Sequence, residues 1–163
     1  MIKPLKYQRL HGGLFELSLA ACETISRYQQ NVSSSTEAGG IILGNIFLDT
    51  LNVTANFATE PCVTDHRTRF SFFRARAPTQ SIIDRTWRQS DGTQNYLGEW
   101  HTHPEPIPHP SEIDINNWKR IVKKSIFQQA GLFFIIAGTE KIHIWEVTKE
   151  NLSIHPLQCL DQQ

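Results

Sequence analysis

Residues 101–114, which read His-Thr-His-Pro-Glu-Pro-Ile-Pro-His-Pro-Ser-Glu-Ile-Asp, combine several side chains that could bind a metal. His101 and His103 follow the apolar stretch 95–100, so we expect them at the end of a β-strand, where side chains two residues apart share a face. Prolines at every second position from 104 to 110 disfavour a helix and predict an extended crossing. Ser111 is a favoured N-cap residue, and a helix beginning there would place Asp114 in its first turn.

Two imidazoles and one carboxylate suit a borderline divalent cation such as zinc. Three protein ligands leave a fourth coordination position for water, which is the pattern of catalytic rather than structural zinc sites. We therefore predict a zinc (Zn²⁺) site formed by His101, His103 and Asp114. His109 is the alternative ligand, but its neighbouring prolines place it in the extended loop, where we expect it to face solvent or substrate.

Hydrolysis of an amide at such a site also requires a group that accepts a proton and later protonates the leaving amine. A carboxylate is the usual choice, and the candidates outside the segment are Glu16, Glu23, Glu37, Glu60 and Glu99. Glu37 stands just before a glycine-bearing apolar run, Gly39-Gly40-Ile41-Ile42-Leu43-Gly44, and is expected at the mouth of a buried strand. Glu99 is its rival because it precedes His101 by two residues and so shares its strand face. The residues alone leave this choice open.

Length and composition favour one domain spanning residues 1–163, with neither strong disorder nor a strongly electrostatic partner. Sixteen basic residues balance sixteen acidic ones, so no nucleic-acid partner is expected. Cys22, Cys62 and Cys159 are widely spaced and are interpreted as packing residues of a reduced protein. The first residues lack a signal-peptide apolar region, and the strongest apolar run, Leu132–Ala137, is too short to span a bilayer. We therefore expect a cytoplasmic protein without a membrane partner.

Hydrophobic periodicity predicts helices and strands around this candidate site. Helices are expected at 16–30, 78–90 and from 111 to about 126, strands at 39–47, 51–58, 95–103, 133–137 and 142–147, an edge strand at 152–154 and a loop at 64–69. Helices placed between clusters of strands, without strict alternation, indicate an α/β domain with a mixed β-sheet flanked by helices.

Four separated elements resemble the JAMM motif of the MPN, or JAB, metalloproteases: Glu37, the glycines that follow it, His-x-His-Pro at 101–104 and Ser-x-x-Asp at 111–114. The resemblance covers about residues 14–148, and the family includes deubiquitinating isopeptidases. It implies a single MPN (JAB)-like domain in which His101, His103 and Asp114 hold zinc. It further implies that Glu37 is the general base and then the general acid, and that Ser111 stabilises the oxyanion.

Within this family, residues 68–77 and 96–105 are similar to the small CD-NTase/cGAS isopeptidases of bacterial CBASS antiphage operons. This narrower resemblance implies that the substrate is a cGAS-like nucleotidyltransferase (CD-NTase) conjugated to another protein. The alternatives are a deconjugase or processor of a bacterial ubiquitin-like or sulfur-carrier protein, and a metal-free MPN scaffold that only binds partners. The complete set of motif residues argues against the scaffold. Candidate contacts to the conjugated protein are Arg67, Arg69, Arg74 and Arg76.

Overall fold

The computed structural model describes residues 1–161, which contain eleven strands and three helices. The strands are β1 (Leu5–Gln8), β2 (Leu14–Leu17), β3 (Gly39–Ile46), β4 (Val53–Ala58), β5 (His66–Arg67), β6 (Phe72–Phe73), β7 (Asn95–Thr102), β8 (Gly131–Ala137), β9 (Ile142–Thr148), β10 (Ile154–Pro156) and β11 (Gln158–Cys159). The helices are α1 (Leu19–Arg27), α2 (Arg76–Gln89) and α3 (Glu112–Lys124). Within these residues, no helix combines the length and apolar character needed to cross a membrane.

A nine-stranded mixed sheet, with strand order β10-β9-β8-β7-β3-β4-β2-β1-β11, organises the fold, while β5 and β6 form a separate small hairpin. Strand β7 lies near the middle, antiparallel to β3 and parallel to β8. All seven residues of β8 are buried, as expected for a strand covered on both faces. Helix α1 contributes Cys22 and Ile25 to one hydrophobic cluster, and α3 contributes Trp118 and Val122 to another. The predicted α/β architecture, with a mixed sheet flanked by helices, is confirmed.

The two edges of the sheet meet at the C-terminal segment. Strand β10 pairs with β9 and β11 pairs with β1, although only Leu157 separates β10 from β11. The edges are also joined directly, because the Tyr7 hydroxyl donates to the Ile142 carbonyl at 2.8 Å. Arg9, which follows β1, forms a largely buried ion pair with Glu146 of β9. The sheet therefore curls until β1 and β9 face each other. The line along which they meet is called the seam below.

Several predicted boundaries are wrong, each for a local reason. Residues 16 and 17 belong to β2 rather than to a helix, because Phe15 and Leu17 point into the core in strand alternation. Helix α1 begins after Ser18, whose hydroxyl caps it by accepting from the Ala21 N–H at 3.2 Å. The predicted loop 64–69 contains β5, which is too short to show a periodic pattern. Strands β1, β6 and β11 were not predicted, helix α2 begins two residues earlier than expected, and the edge strand lies at 154–156 instead of 152–154.

Candidate active site

His101, His103 and Asp114 form one compact group, called the donor set below. The Nε2 atoms of the two histidines are 3.1 Å apart. The Asp114 Oδ1 atom lies 3.3 Å from Nε2 of His101, and Oδ2 lies 3.2 Å from Nε2 of His103. Their candidate ligand atoms all lie within 4.8 Å of one another. Two imidazole nitrogens and a carboxylate that converge in this way fit a zinc-type cation, which prefers such donors. The His109 side chain is not part of this group.

Local sequence explains how the donor set is brought together. His101 is the second-last residue of β7 and His103 lies just beyond the strand, so the two rings share one face. Ser111 is the N-cap of α3 and forms a full capping box with Asp114. The Ser111 hydroxyl oxygen accepts from the Asp114 N–H at 3.1 Å, and Asp114 Oδ2 accepts from the Ser111 N–H at 2.8 Å. Asp114 is thus fixed by its helix while it faces the strand end.

Hydrogen bonds control the charge of the donor set. Burial alone would raise the pKa of Asp114, but hydrogen bonds from His101, His103 and the Ser111 N–H hold it well below its usual range. Burial alone would lower the pKa of His103, but hydrogen bonds to Asp114 and Glu105 outweigh it and raise that pKa to about 9. The site therefore attracts positive charge, either as a proton on His103 or as a metal ion.

Glu105 orients His103 from the side opposite the donor set. Its Oε1 atom lies 3.0 Å from His103 Nδ1 and also accepts from the His109 N–H at 2.9 Å. A carboxylate in this position keeps the proton on Nδ1 and leaves Nε2 free to bind a cation. Sequence reasoning gave Glu105 no role. Its position two residues after His103 was the only available signal.

Glu37 is brought to the donor set by the pairing of β3 with β7. Gly39 is opposite His101 in this ladder, and the Thr102 N–H donates to the Ala38 carbonyl at 2.9 Å. The strands approach closely because Gly39 has no side chain: a Cβ atom there would lie 2.5 Å from the Phe72 ring and from the Trp100 carbonyl oxygen. Glu37, two residues before Gly39, therefore lies at the mouth of β3, as predicted.

The Glu37 carboxyl has an acidity suited to proton transfer. Glu37 is only 6% exposed, and burial raises the pKa of its carboxyl to about 7, although the positive charge of His103 acts in the opposite direction. A group whose pKa lies near neutrality can both accept and return a proton. The rival, Glu99, is held by Arg74, whose Nε donates to Glu99 Oε1 at 3.0 Å. Glu99 is therefore occupied in a largely buried ion pair.

A buried polar network connects the strand that carries the histidines with the backbone next to Glu37. Thr102, which stands between His101 and His103, is fully buried and accepts from the Ala38 N–H at 3.0 Å. Its hydroxyl donates to Gln30 Oε1, also at 3.0 Å. The Gln30 amide in turn donates to the Arg69 carbonyl at 2.8 Å. These contacts connect β7, the residue after Glu37, the end of the α1 region and the β5–β6 hairpin.

The hairpin also holds the Glu37 backbone. Arg67 Nε donates to the Glu37 carbonyl at 2.7 Å, and the Glu37 N–H donates to the Thr68 carbonyl at 2.6 Å. Arg69 donates to the carbonyls of Val32 and Ser33. Of the four arginines predicted to contact a conjugated protein, Arg67, Arg69 and Arg74 are thus used inside the fold.

A cleft of about 1220 Å³ opens above these groups. Its floor includes Glu37, His101, His103 and Asp114, and Ser111 lies at its edge with an exposed side chain. Because the Ser111 oxygen accepts from the helix, its hydroxyl hydrogen is available to a substrate oxygen. Trp100 and Trp118 are buried, as expected for core residues.

Comparisons with known proteins show which family the chain resembles. A CD-NTase/cGAS isopeptidase of Pseudomonas aeruginosa is 34% identical over 131 residues, which cover 80% of this chain and 81% of that protein. A protein of the same name from Escherichia coli is 34% identical over 128 residues, 78% of each chain. The solution structure of a Desulfitobacterium hafniense protein matches 86% of this chain and 87% of its own with a TM-score of 0.55, and at 16% identity it supports the fold alone. Residues 20–148 match the family model described as prokaryotic homologs of the JAB domain. The chain therefore belongs to the prokaryotic JAB (MPN) family, as its motif residues predicted.

Proposed function

We propose that this protein is a zinc-dependent isopeptidase of the JAMM type, with His101, His103 and Asp114 as zinc ligands. The observation that carries the proposal is the meeting of this donor set with a buried carboxyl, Glu37, whose pKa is about 7. A structural zinc site needs no such proton carrier. A hydrolase does, because amide cleavage moves a proton from water to the leaving amine.

Each residue of the candidate site has a defined task in this proposal. When bound, zinc would polarise the scissile carbonyl and acidify water. Glu37 accepts the proton of the attacking water and then protonates the lysine amine as the C–N bond breaks. The Ser111 hydroxyl donates to the carbonyl oxygen as negative charge develops on it. Glu105 keeps His103 in the tautomer that leaves Nε2 unprotonated.

For the substrate, we propose a cGAS-like nucleotidyltransferase joined through its C-terminus to a lysine of another protein. The relatives named CD-NTase/cGAS isopeptidases, which match about four-fifths of the chain, support this choice. An enzyme that removes such a conjugate would act in antiphage defence. We propose that it does so in the cytoplasm. Each relative aligns with this chain over the greater part of its own length, so the proposal does not rest on an isolated segment.

The test is to incubate purified enzyme with conjugates of CD-NTases, ubiquitin-like proteins and sulfur-carrier proteins, and to identify the cleaved bond by mass spectrometry. We expect release of the CD-NTase at its C-terminal carbonyl, loss of activity with a chelator, and recovery on addition of zinc. Cleavage of only ubiquitin-like or sulfur-carrier conjugates would replace the substrate and keep the chemistry. Purified protein that contains no zinc and cleaves none of the conjugates would instead indicate a binding scaffold.

A further inference from the structure

The carboxylates that line the cleft have partners or belong to the proposed active site, whereas three of its cations form no ion pair within residues 1–161. Among residues 1–161, the carboxylates that line it are Glu37, Glu99, Glu105 and Asp114. Glu99 is neutralised by Arg74, and the other three belong to the donor set, its hydrogen-bond partner and the proposed base. In the described part of the chain, no other acidic side chain lines the cleft.

Three exposed cations line the same cleft: Arg76 at the start of α2, and Arg120 and Lys124 on α3. In the described part of the chain, none of them forms an ion pair. Within residues 1–161, the hydrogen bond found for the Arg120 side chain goes to the neutral side chain of Asn117. The described lining holds four carboxylates and four Arg or Lys side chains, so the cleft has no excess of positive charge, but its three unpaired cations are separated from the carboxylate of the donor set.

The size and lining of the cleft indicate what kind of molecule it receives. Its volume of about 1220 Å³ exceeds the roughly 300–1,000 Å³ of typical small-molecule pockets. Phe70 and Ile113, which also line it, are 75% and 73% exposed and offer apolar contact surface. A polypeptide segment with both apolar and acidic side chains matches this combination.

We propose that the cleft selects a substrate tail carrying an acidic side chain upstream of the scissile carbonyl, and that Arg120 and Lys124 bind that side chain. The inference rests on the isopeptidase function proposed above. The tail is the suitable occupant because its main chain must run through the cleft to present its terminal carbonyl. The acceptor lysine reaches the centre through a long flexible side chain, which leaves its backbone further away.

Helix geometry predicts where the acidic residue stands. Arg120 and Lys124 follow Asp114 by six and ten residues, which corresponds to about 9 and 15 Å along α3 at 1.5 Å per residue. An extended tail advances about 3.3 Å per residue. A tail running along α3 from the donor set therefore passes these cations about three to five residues before the scissile bond.

The substrate test uses conjugates of the CD-NTase that the wild-type enzyme cleaves, with each of these tail positions set in turn to Glu, Gln or Lys. Because the acidic side chain forms ion pairs with two exposed cations, we expect kcat/KM to fall about five- to tenfold from Glu to Gln and further for Lys, mainly through KM. The preference should weaken as salt is raised, because exposed charges are screened. Equal rates for all three tails, or a preference only for acidic residues around the acceptor lysine, would overturn the inference.

The enzyme test compares two double variants of α3. Arg120→Gln with Lys124→Gln should bring the ratio of rates for Glu and Gln tails close to one. Lys119→Gln with Lys123→Gln removes the same amount of charge at the same spacing but outside the cleft lining, and should retain the preference. A preference that survives in the first pair refutes the inference. If wild-type enzyme cleaves no conjugate, the proposed function fails, whereas cleavage without charge preference refutes the tail inference alone.

Discussion

Replacing Thr102 by valine should remove the side-chain link between β7 and the backbone next to Glu37, while the donor set and the Thr102 N–H bond to the Ala38 carbonyl stay in place. Valine keeps the volume but loses the hydroxyl that accepts from the Ala38 N–H and donates to Gln30. Ala38 and Thr102 are both fully buried, so the Ala38 N–H is left without a partner at a cost of about 1–3 kcal/mol. The lost bond to Gln30 adds about 1 kcal/mol. We expect the free energy of unfolding to fall by about 3 kcal/mol, and the Tm by about 6–12 °C for a chain of this size.

Urea unfolding of the zinc-free variant measures this loss, and turnover measurements follow its effect on Glu37. Because Ala38 adjoins Glu37, a displaced backbone should lower kcat about tenfold or more with little change in KM. Zinc content should stay at the wild-type level, since both histidine rings remain. Thr102→Ser, which keeps the hydroxyl, is the matched control and should recover most of kcat. A Thr102→Val protein within about 0.5 kcal/mol of wild type and with unchanged kcat would refute the argument.

Three further predictions concern the site directly. Glu37→Gln should retain zinc but lower kcat by about 10²–10⁴-fold, the usual contribution of a general base. Burial raises the pKa of Glu37, so its ionised form destabilises the fold above pH 7, and urea unfolding should show the zinc-free variant to be no less stable than wild type there. Glu105→Ala should weaken zinc binding about 10–100-fold by freeing the His103 ring, whereas His109→Ala should not, and competition with a chromogenic chelator distinguishes the two. Zinc affinity should rise about tenfold per pH unit up to about pH 9, because His103, with its pKa raised to about 9, must lose a proton to bind the metal; an affinity that is flat between pH 6.5 and 8.5 would contradict that protonation.

The parts of the site that could be predicted from sequence are those set by short-range geometry. The shared face of His101 and His103 follows from strand alternation, and the position of Asp114 follows from the capping box that begins at Ser111. Glu37 lies 64 residues before His101, and only the pairing of β3 with β7 brings them together. Spacing could therefore suggest Glu37 but not choose it over Glu99. The resemblance to a known family made that choice.

The features that sequence reasoning missed depend on contacts between distant segments. Gln30 gives no sign in sequence that its amide will be buried against Thr102 and the hairpin. The occupation of Glu99 by Arg74 is likewise a tertiary contact. Strands of two to four residues, such as β1, β5 and β11, contain too few positions for alternation to be recognised. Their pairing depends on the strands beside them rather than on their own composition.

The seam between β1 and β9 has a consequence for aggregation. Long exposed strand edges are templates on which other chains can assemble, and proteins protect them with short edge strands, charged residues or a covering segment. Here residues 154–159 cover both, with β10 on one strand and β11 on the other. If this segment detached, two edges would be uncovered in a single event. A second copy could then donate its own segment to the opened seam, so we expect a domain-swapped dimer of this protein to exchange residues 154–159.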